Sequence, residues 1–304
     1  MNKVFKTGLL ALAFTVGCEG EGEGEKGEGG DETCNNAEAT GYRTIVEGDA
    51  TREYIVRTPD SYDGSTALPL VLNFHGNGGC AEQFESVESN LTETANSNNF
   101  IVAYPQGNVR AKGATEWDPG DVDSQSVNDN DLVFAERIIS EISSEYSVDA
   151  SRVYATGYSN GGMMAYGLAC KRGNLIASAG IMSGIMLPDT TCTTTDYTSI
   201  IHFHGTADDA LPYEGNQEYQ SVSTVVNFWL THNNIPTSSL NTTSLNNGDI
   251  TKDEYTGGNE GTAVTLYTVT GGGHIWFTEN IDGEDPNQIL WNFISSYTLN
   301  DTDG

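Results

Sequence analysis

Alternation of apolar and polar side chains marks the first elements of the chain. Residues 42–48 (YRTIVEG) and 52–59 (REYIVRTP) alternate across a short turn and predict a hairpin of two strands. Residues 68–76 (LPLVLNFHG) are a nearly continuous apolar run closed by glycine, the pattern of a strand buried on both faces. From there the period shifts repeatedly. The stretch 81–98 (AEQFESVESNLTETANSN) is amphipathic at helical spacing, 100–107 (FIVAYPQG) reads as a strand, 130–147 (NDLVFAERIISEISSEYS) as a helix, and 151–159 (SRVYATGYS) as a strand. A helix follows directly, then a strand in 176–184 (IASAGIMSG), a buried strand in 198–209 (TSIIHFHGTADD), a helix over 218–232, a strand opening 263–274 (AVTLYTVTGGGH) and a last helix in 286–297 (PNQILWNFISSY). Strands and helices that alternate in this way predict an α/β fold with a mainly parallel central sheet and helices on both faces. No internal repeat or second boundary interrupts the pattern, so residues 34–304 are expected to form a single domain.

One junction in this pattern needs a chemical reason. The strand at 151–159 runs without pause into a helical segment through Gly157-Tyr158-Ser159-Asn160-Gly161. A strand that turns straight into a helix leaves little room for side chains; glycines on each side of Ser159 supply that room and let a strained turn point its hydroxyl outward. This is the G-x-S-x-G elbow. A serine so placed needs a base within hydrogen-bond reach and an acid to orient that base, and in the α/β-hydrolase arrangement the partners follow in the order Ser, Asp or Glu, His.

That order narrows the search. Of five histidines, His75, His202 and His204 precede the candidate acids, which leaves His232 and His274. His232 lies inside an amphipathic helical stretch, whereas His274 sits on the glycine-rich loop TGGGHIW between the last strand and the last helix, so His274 is the candidate base. Asp208 and Asp209 follow the strand IIHFHGTA directly; Asp208, closer to the strand end, is the candidate acid and Asp209 a surface residue. Acyl transfer also needs donors for a developing oxyanion. The backbone N–H of Asn160 is one candidate, and that of Asn77 in the loop 74–80 (FHGNGGC) the other, with His75 as a structural histidine packing the loop. Trp276 beside the base and Trp117 in the acidic loop 117–131 (WDPGDVDSQSVNDND) are candidate substrate-binding rings for a flat apolar or aromatic acyl group, and Asp131 is expected to cap the following helix. His202 and His204 share one strand face with Asp208 nearby, but a third strong ligand at metal spacing is missing, so no metal and no cofactor are expected.

Taken together, HGNGG, YPQG, RVYATGYSNGGMMAYGLAC, HGTADDALPY and GGGHIW resemble the secreted polyhydroxybutyrate-depolymerase and feruloyl-esterase-like family of α/β-hydrolases, over about residues 54–276 and in the family's order. The resemblance implies Ser159 as nucleophile, Asp208 as acid and His274 as base, with Asn77 and Asn160 framing the oxyanion hole. It also implies a carboxylic ester substrate: feruloyl or acetyl groups on polysaccharide, or hydroxyalkanoate or aromatic polyesters. The chain departs from the family pattern at Asn77, where a small or sulfur-bearing residue is common, and at Asp209, where proline is common; these positions bear on the substrate rather than on the triad. A rival reading, a catalytically silent surface lipoprotein that binds polysaccharide through Trp117, Trp276 and tyrosines, has no need of the three triad residues.

Composition changes this picture mainly in its surroundings. With 13 Lys and Arg against 43 Asp and Glu, the formal charge of −30 repels nucleic acid and anionic membrane surfaces. A monomer acting on an ester is expected, touching a membrane only through a lipid anchor. Residues 1–17 have the basic start and short apolar run of a signal peptide, and small residues lead up to Cys18 as in a lipoprotein cleavage box. Residues 18–33 then form a lipid-anchor cysteine with an acidic Gly/Glu tether too polar to fold. An exported, cell-surface or outer-membrane location follows. The remaining cysteines, Cys34, Cys80, Cys170 and Cys192, form an even set that allows three pairings; Cys170 with Cys192 and Cys34 with Cys80 are the expected two. Cys18→Ser is accordingly expected to move the protein from the membrane to the soluble fraction with unchanged turnover on a soluble ester, and a wild type that fractionates as wholly soluble would exclude the anchor.

Overall fold

The computed structural model describes residues 41–110, 113–120, 124–188, 190–192 and 195–299; the expected signal peptide, Cys18, the tether and Cys34 lie outside them. The chain enters through the expected hairpin, β1 (Tyr42–Glu47) and β2 (Ala50–Arg57), and continues into β3 (Leu68–Phe74). The amphipathic stretch that follows is not one helix. It breaks into α1 (Ala81–Gln83), a π turn (Phe84–Ser89) and α2 (Leu91–Asn98). Asn90 at the break sits in the left-handed region (φ 47°, ψ 30°), and the Ser89 hydroxyl donates to the Phe84 carbonyl at 2.9 Å. Short polar side chains of this kind compete with the helical ladder, which the apolar period does not reveal.

Strand β4 (Ile101–Pro105), a small ribbon of β5 (Asn108–Val109) and β6 (Thr115–Glu116), and α3 (Asp131–Glu145) come next. The long β7 (Val148–Tyr158) then runs into α4 (Asn160–Lys171), followed by β8 (Ser178–Met182), β9 (Ser199–Gly205) and α5 (Val222–His232). The chain closes with β10 (Asn241–Leu245), β11 (Ile250–Tyr255), β12 (Val264–Val269) and α6 (Pro286–Ile294). The hairpin of β10 and β11 has no apolar alternation to announce it. It forms the sheet's far edge, where β10 is almost wholly exposed, and it turns on Asn246, Asn247 and Gly248, all at positive φ.

Ten strands form one sheet in the order β1-β2-β4-β3-β7-β8-β9-β12-β11-β10. The central run from β4 to β12 is parallel, and antiparallel strands close both edges. Alternate strand residues feed two cores. Leu70, Leu72 and Phe74 face α3, α4 and α5 through Phe134, Met164 and Trp229, while Val71, Val102 and Tyr104 face α2 and α6 through Leu91 and Leu290. The helices thus cover both faces, as expected for strands buried on each side. From β3 the chain proceeds to β4 on one side, while from β7 it proceeds to β8 on the other, so the strand order reverses between β3 and β7. In open α/β sheets, ligands gather at the carboxyl ends of strands flanking such a reversal.

Cys170 at the end of α4 is bridged to Cys192, with the two Cα atoms 4.5 Å apart. Cys80 is buried and has no disulfide partner among the described residues; Cys34, its expected partner, lies outside them.

A buried ion pair ties the loop between β4 and α3 to the sheet. Arg52 of β2 donates to Asp131 at 2.9 Å, with the two side chains 1% and 0% exposed, and also to the Val127 and Gln106 carbonyls at 2.7 and 3.2 Å. Asp131 further accepts from Arg110 at 2.6 Å and from the Asp118 N–H at 2.7 Å. Asp131 therefore does not cap α3. Asn130 does, accepting from the Leu132 and Val133 N–H groups at 3.0 and 3.3 Å. Because a lost partner would leave Arg52 charged and dry, Asp131→Ala should cost about 3–5 kcal/mol. Arg152→Ala, which breaks a partly exposed pair with Asp149, should cost under about 1 kcal/mol. Urea denaturation of the two variants checks the difference.

Candidate active site

The site assembles at the strand-order reversal, where Phe74 at the end of β3 lies opposite Gly157 near the end of β7. Ser159 follows β7 at φ 54°, ψ −120°, a conformation that a non-glycine residue adopts only when its surroundings impose it. Two bonds impose it here: Ser159 N–H donates to the Met182 carbonyl at 3.0 Å, and its carbonyl accepts from Met163 N–H at 3.1 Å. The flanking glycines are required by main-chain contact. A Cβ on Gly157 would lie 2.3 Å from the Gly161 carbonyl oxygen, and one on Gly161 would lie 2.1 Å from the Phe74 carbonyl oxygen. The elbow helix can start where it does only because these backbones touch.

His274 stands over this serine on the loop after β12. Its Nε2 is 2.8 Å from Ser159 Oγ and its Nδ1 is 2.8 Å from Asp208 Oδ2, so an Nδ1–H tautomer donates to the carboxylate and offers a lone pair to the hydroxyl. The structure therefore brings together the three residues expected from the sequence. Their loops are held to one another: Ala207 N–H donates to the Gly272 carbonyl at 2.9 Å, and Gly271 N–H to Thr206 Oγ1 at 2.8 Å. Tyr158 donates its hydroxyl to the His274 carbonyl at 2.8 Å, and Ser183 does the same to the Ile275 carbonyl at 2.8 Å. Asp208 is buried, which alone would raise its pKa. Hydrogen bonds from His204, His274 and the Leu211 N–H more than offset this and hold the carboxyl well below its ordinary range. Asp209 is exposed, and His232 lies on α5 with Nε2 3.0 Å from the Asp196 carbonyl, away from the serine.

The loop after β3 passes beside the serine, for a Cβ on Gly76 would come within 3.4 Å of the Ser159 Cβ. Its orientation is set by His75, which is buried and donates from Nδ1 to the Gly76 carbonyl at 2.7 Å while Nε2 accepts from Gly107 N–H at 3.0 Å. Gly79 N–H reaches the same Gly76 carbonyl at 3.1 Å. With that carbonyl held inward, the N–H of the same trans peptide, that of Asn77, faces the opposite way. Among the described residues neither the Asn77 nor the Asn160 N–H has a protein acceptor. Both are free to receive charge beside Ser159.

The two tryptophans are not open binding rings. Trp117 is 3% exposed, packs edge-on against Phe74, and donates from Nε1 to the His75 carbonyl at 2.9 Å. Its backbone is stitched to Asn160, whose side chain accepts from Trp117 N–H at 2.6 Å and donates to the Trp117 carbonyl at 3.0 Å. Trp276 is 6% exposed, lies edge-on to Phe84, and donates to Asn287 at 2.9 Å. The apolar residue exposed next to the base is Ile275, at 47%. Trp117 thus acts as a clamp between the loop after β3 and the elbow, a role its sequence position does not disclose because His75 and Asn160 are distant in the chain. His202 and His204, which the sequence places on one strand face, are hydrogen-bonded to each other at 3.0 Å.

A family model described as "Esterase: Putative esterase" matches residues 48–280. The chain belongs to the esterase family. It is 27% identical over 261 residues to feruloyl esterase B of Piromyces equi, covering 82% of this chain and 46% of that protein. It is 25% identical over 227 residues to feruloyl esterase C of Emericella nidulans, covering 73% of this chain and 76% of that one. A bifunctional acetylxylan esterase/xylanase of Neocallimastix patriciarum is 28% identical over 235 residues, or 76% of this chain and 31% of that protein. The chain therefore spans about half the length of the first of these relatives. Among solved structures, the acetyl xylan esterase from Aspergillus awamori superposes with a TM-score of 0.64 at 16% identity, over 84% of this chain and 98% of that one. The feruloyl esterase module from Clostridium thermocellum superposes with a TM-score of 0.54 at 14% identity, over 77% of this chain and 81% of that one. The esterase-family chain has the α/β-hydrolase fold.

Its site carries groups whose neutrality depends on burial. Burial pushes the His75 pKa from 6.5 down to about 4, and takes His202 well below its ordinary value with the help of neighbouring His204. Both histidines are neutral when folded but protonate near pH 6.5 when unfolded, so their contribution to stability is present above that pH and is lost as pH falls toward 4. The low Asp208 pKa acts in the same direction at lower pH. His75 alone should contribute about 3 kcal/mol of acid destabilisation. Urea midpoints are expected to fall steadily from pH 7 to pH 4, and a midpoint constant across that range would contradict this assignment.

Proposed function

We propose that the protein is a serine carboxylesterase that acts through an acyl-enzyme on feruloyl or acetyl esters carried by polysaccharide. The observation that carries the reading is the continuous line of two 2.8 Å contacts from Ser159 Oγ through His274 to Asp208, beside two backbone N–H groups without acceptors. His274 Nε2 takes the Ser159 proton as Oγ attacks the ester carbonyl carbon. The carbonyl oxygen, now carrying the negative charge, accepts from the Asn77 and Asn160 N–H groups. As the tetrahedral centre collapses, His274 returns that proton to the departing alcohol oxygen and leaves the acyl group on Ser159. A water, deprotonated by the same imidazole, then attacks the acyl carbon and restores the serine. Asp208 holds the imidazole in its Nδ1–H tautomer and stabilises the imidazolium in both halves.

The choice of acyl group is supported by the relatives named feruloyl esterase and acetylxylan esterase. Hydroxyalkanoate and aromatic polyesters form the second arm of the substrate test. A silent polysaccharide-binding role has less support, since the two tryptophans it would use beside tyrosines, Trp117 and Trp276, are buried. Export by the signal peptide at residues 1–17 is part of the proposal and is supported by the Cys170–Cys192 disulfide, a bond that persists in oxidising compartments; the anchor at Cys18 rests on the sequence alone.

Ser159→Ala and His274→Ala are each expected to lower turnover by about 10⁴–10⁶, with the double variant scarcely worse, because the three residues act as a unit. Asp208→Asn should cost about 10⁴ by offering the wrong imidazole tautomer, while Asp209→Asn stays near wild type. Rates on methyl ferulate, acetylated xylan and hydroxybutyrate oligomers check both the triad and the substrate class. Additive losses would refute the triad, and preference for the oligomers would refute the polysaccharide-ester assignment.

A further inference from the structure

Three side chains behind the triad are fully or almost fully buried and have no part in the reaction described above. His204 Nε2 lies 3.2 Å from Asp208 Oδ2, the same oxygen that His274 uses, and 2.8 Å from the Leu211 carbonyl oxygen. Behind it, His204 Nδ1 is 3.0 Å from His202 Nε2, and His202 Nδ1 is 2.9 Å from the Tyr166 hydroxyl. His202 and His204 are 0% exposed and Tyr166 is 1% exposed.

Proton positions along this chain follow from its ends. His204 Nε2 faces two oxygens that can only accept, so it carries a hydrogen. In a neutral imidazole Nδ1 is then a lone pair, which requires His202 to donate from Nε2 and leaves His202 Nδ1 to accept the Tyr166 proton. Tyr166 supplies that proton, since burial pushes its pKa up and keeps the phenol intact. Three hydrogen bonds therefore point one way, from α4 across β9 to the carboxylate. The other titratable groups facing them are Tyr213, whose ring is 5.9 Å from that of His204, Tyr158 on the elbow strand, and the Asp208–His274 pair itself.

We propose that His204 is a positioning residue for Asp208: backed by His202 and Tyr166, it fixes the carboxylate with a one-way buried chain of donors and draws charge away from the oxygen that faces His274. This inference rests on the triad reading above. Its consequence is a base poised for proton abstraction, because a carboxylate shared between two N–H donors stabilises the His274 imidazolium less than one that serves His274 alone.

Three measurements test it. His204→Leu should lower kcat/KM about tenfold to a hundredfold and move the acid limb of its pH profile upward by about half a unit to one unit. His204→Gln, whose amide nitrogen can stand where Nε2 stood, should bring the limb back toward its wild-type position and recover most of the lost kcat/KM. A folded His204→Leu enzyme whose acid limb does not move overturns the proposal, as does a Gln variant no better than Leu. If His204→Leu does not fold, nitrogen-15 NMR of the wild type decides. Two histidines should carry hydrogen on Nε2, distinct from the Nδ1–H form of His75; hydrogen on Nδ1 of either overturns the proposal. Ser159→Ala separates the two levels of inference. Retained turnover there sinks the triad reading itself, whereas an inactive Ser159→Ala alongside an unmoved acid limb sinks only the role of His204.

Discussion

Main chain pressed against main chain at the foot of α4 is the constraint on which the site depends. Gly161 lies so close to the Phe74 carbonyl, and Gly157 so close to the Gly161 carbonyl, that any side chain at either position would collide with backbone. This contact lets a helix begin at once where a central strand ends, and it forces Ser159 into a conformation a serine would not otherwise choose. It also sets the loop after β3 against the elbow, so the Ser159 hydroxyl and the Asn77 and Asn160 N–H groups are brought close together. The strand-order reversal between β3 and β7 creates the crevice, and the glycines bring it to bonding range.

Around that contact, polar groups inside the protein serve as struts. His75 turns one peptide, Trp117 ties that peptide's loop to Asn160, and Asp131 gathers Arg52, Arg110 and the Asp118 N–H to hold the Trp117 loop against the sheet. Each strut carries its own desolvation cost, offset by near-complete hydrogen bonding. On the opposite side, His204, His202 and Tyr166 brace the carboxylate from within the core. A site held from two sides by buried bonds needs little reorganisation when charge develops, which is the physical meaning of preorganisation.

One expectation drawn from the chain was corrected by packing. Trp117 and Trp276 stand next to site residues in sequence, and an aromatic ring beside a base invites a substrate-binding reading. Whether the ring faces the crevice or the core depends on which neighbours it meets, and here these are Phe74 and Phe84.

The order of strands and helices, the elbow with its two glycines, and the choice of Asp208 and His274 as partners were all legible in the sequence. Each rests on local chemistry: side-chain period, the steric demand of a tight turn, and the position of a residue at a strand end. The β10–β11 hairpin and the break at Asn90 were not, because an exposed edge strand needs no apolar alternation and a polar side chain can interrupt a helix without altering its hydrophobic period. Only the tertiary structure decided which polar residues act together. His204 and Asp208 share a strand end, but Trp117 with His75 and Asn160, Arg52 with Asp131, and Tyr166 with His202 are brought together from distant segments. A buried hydrogen bond between such segments leaves no periodic trace in either, since its partners are chosen by packing and by the cost of leaving a donor dry.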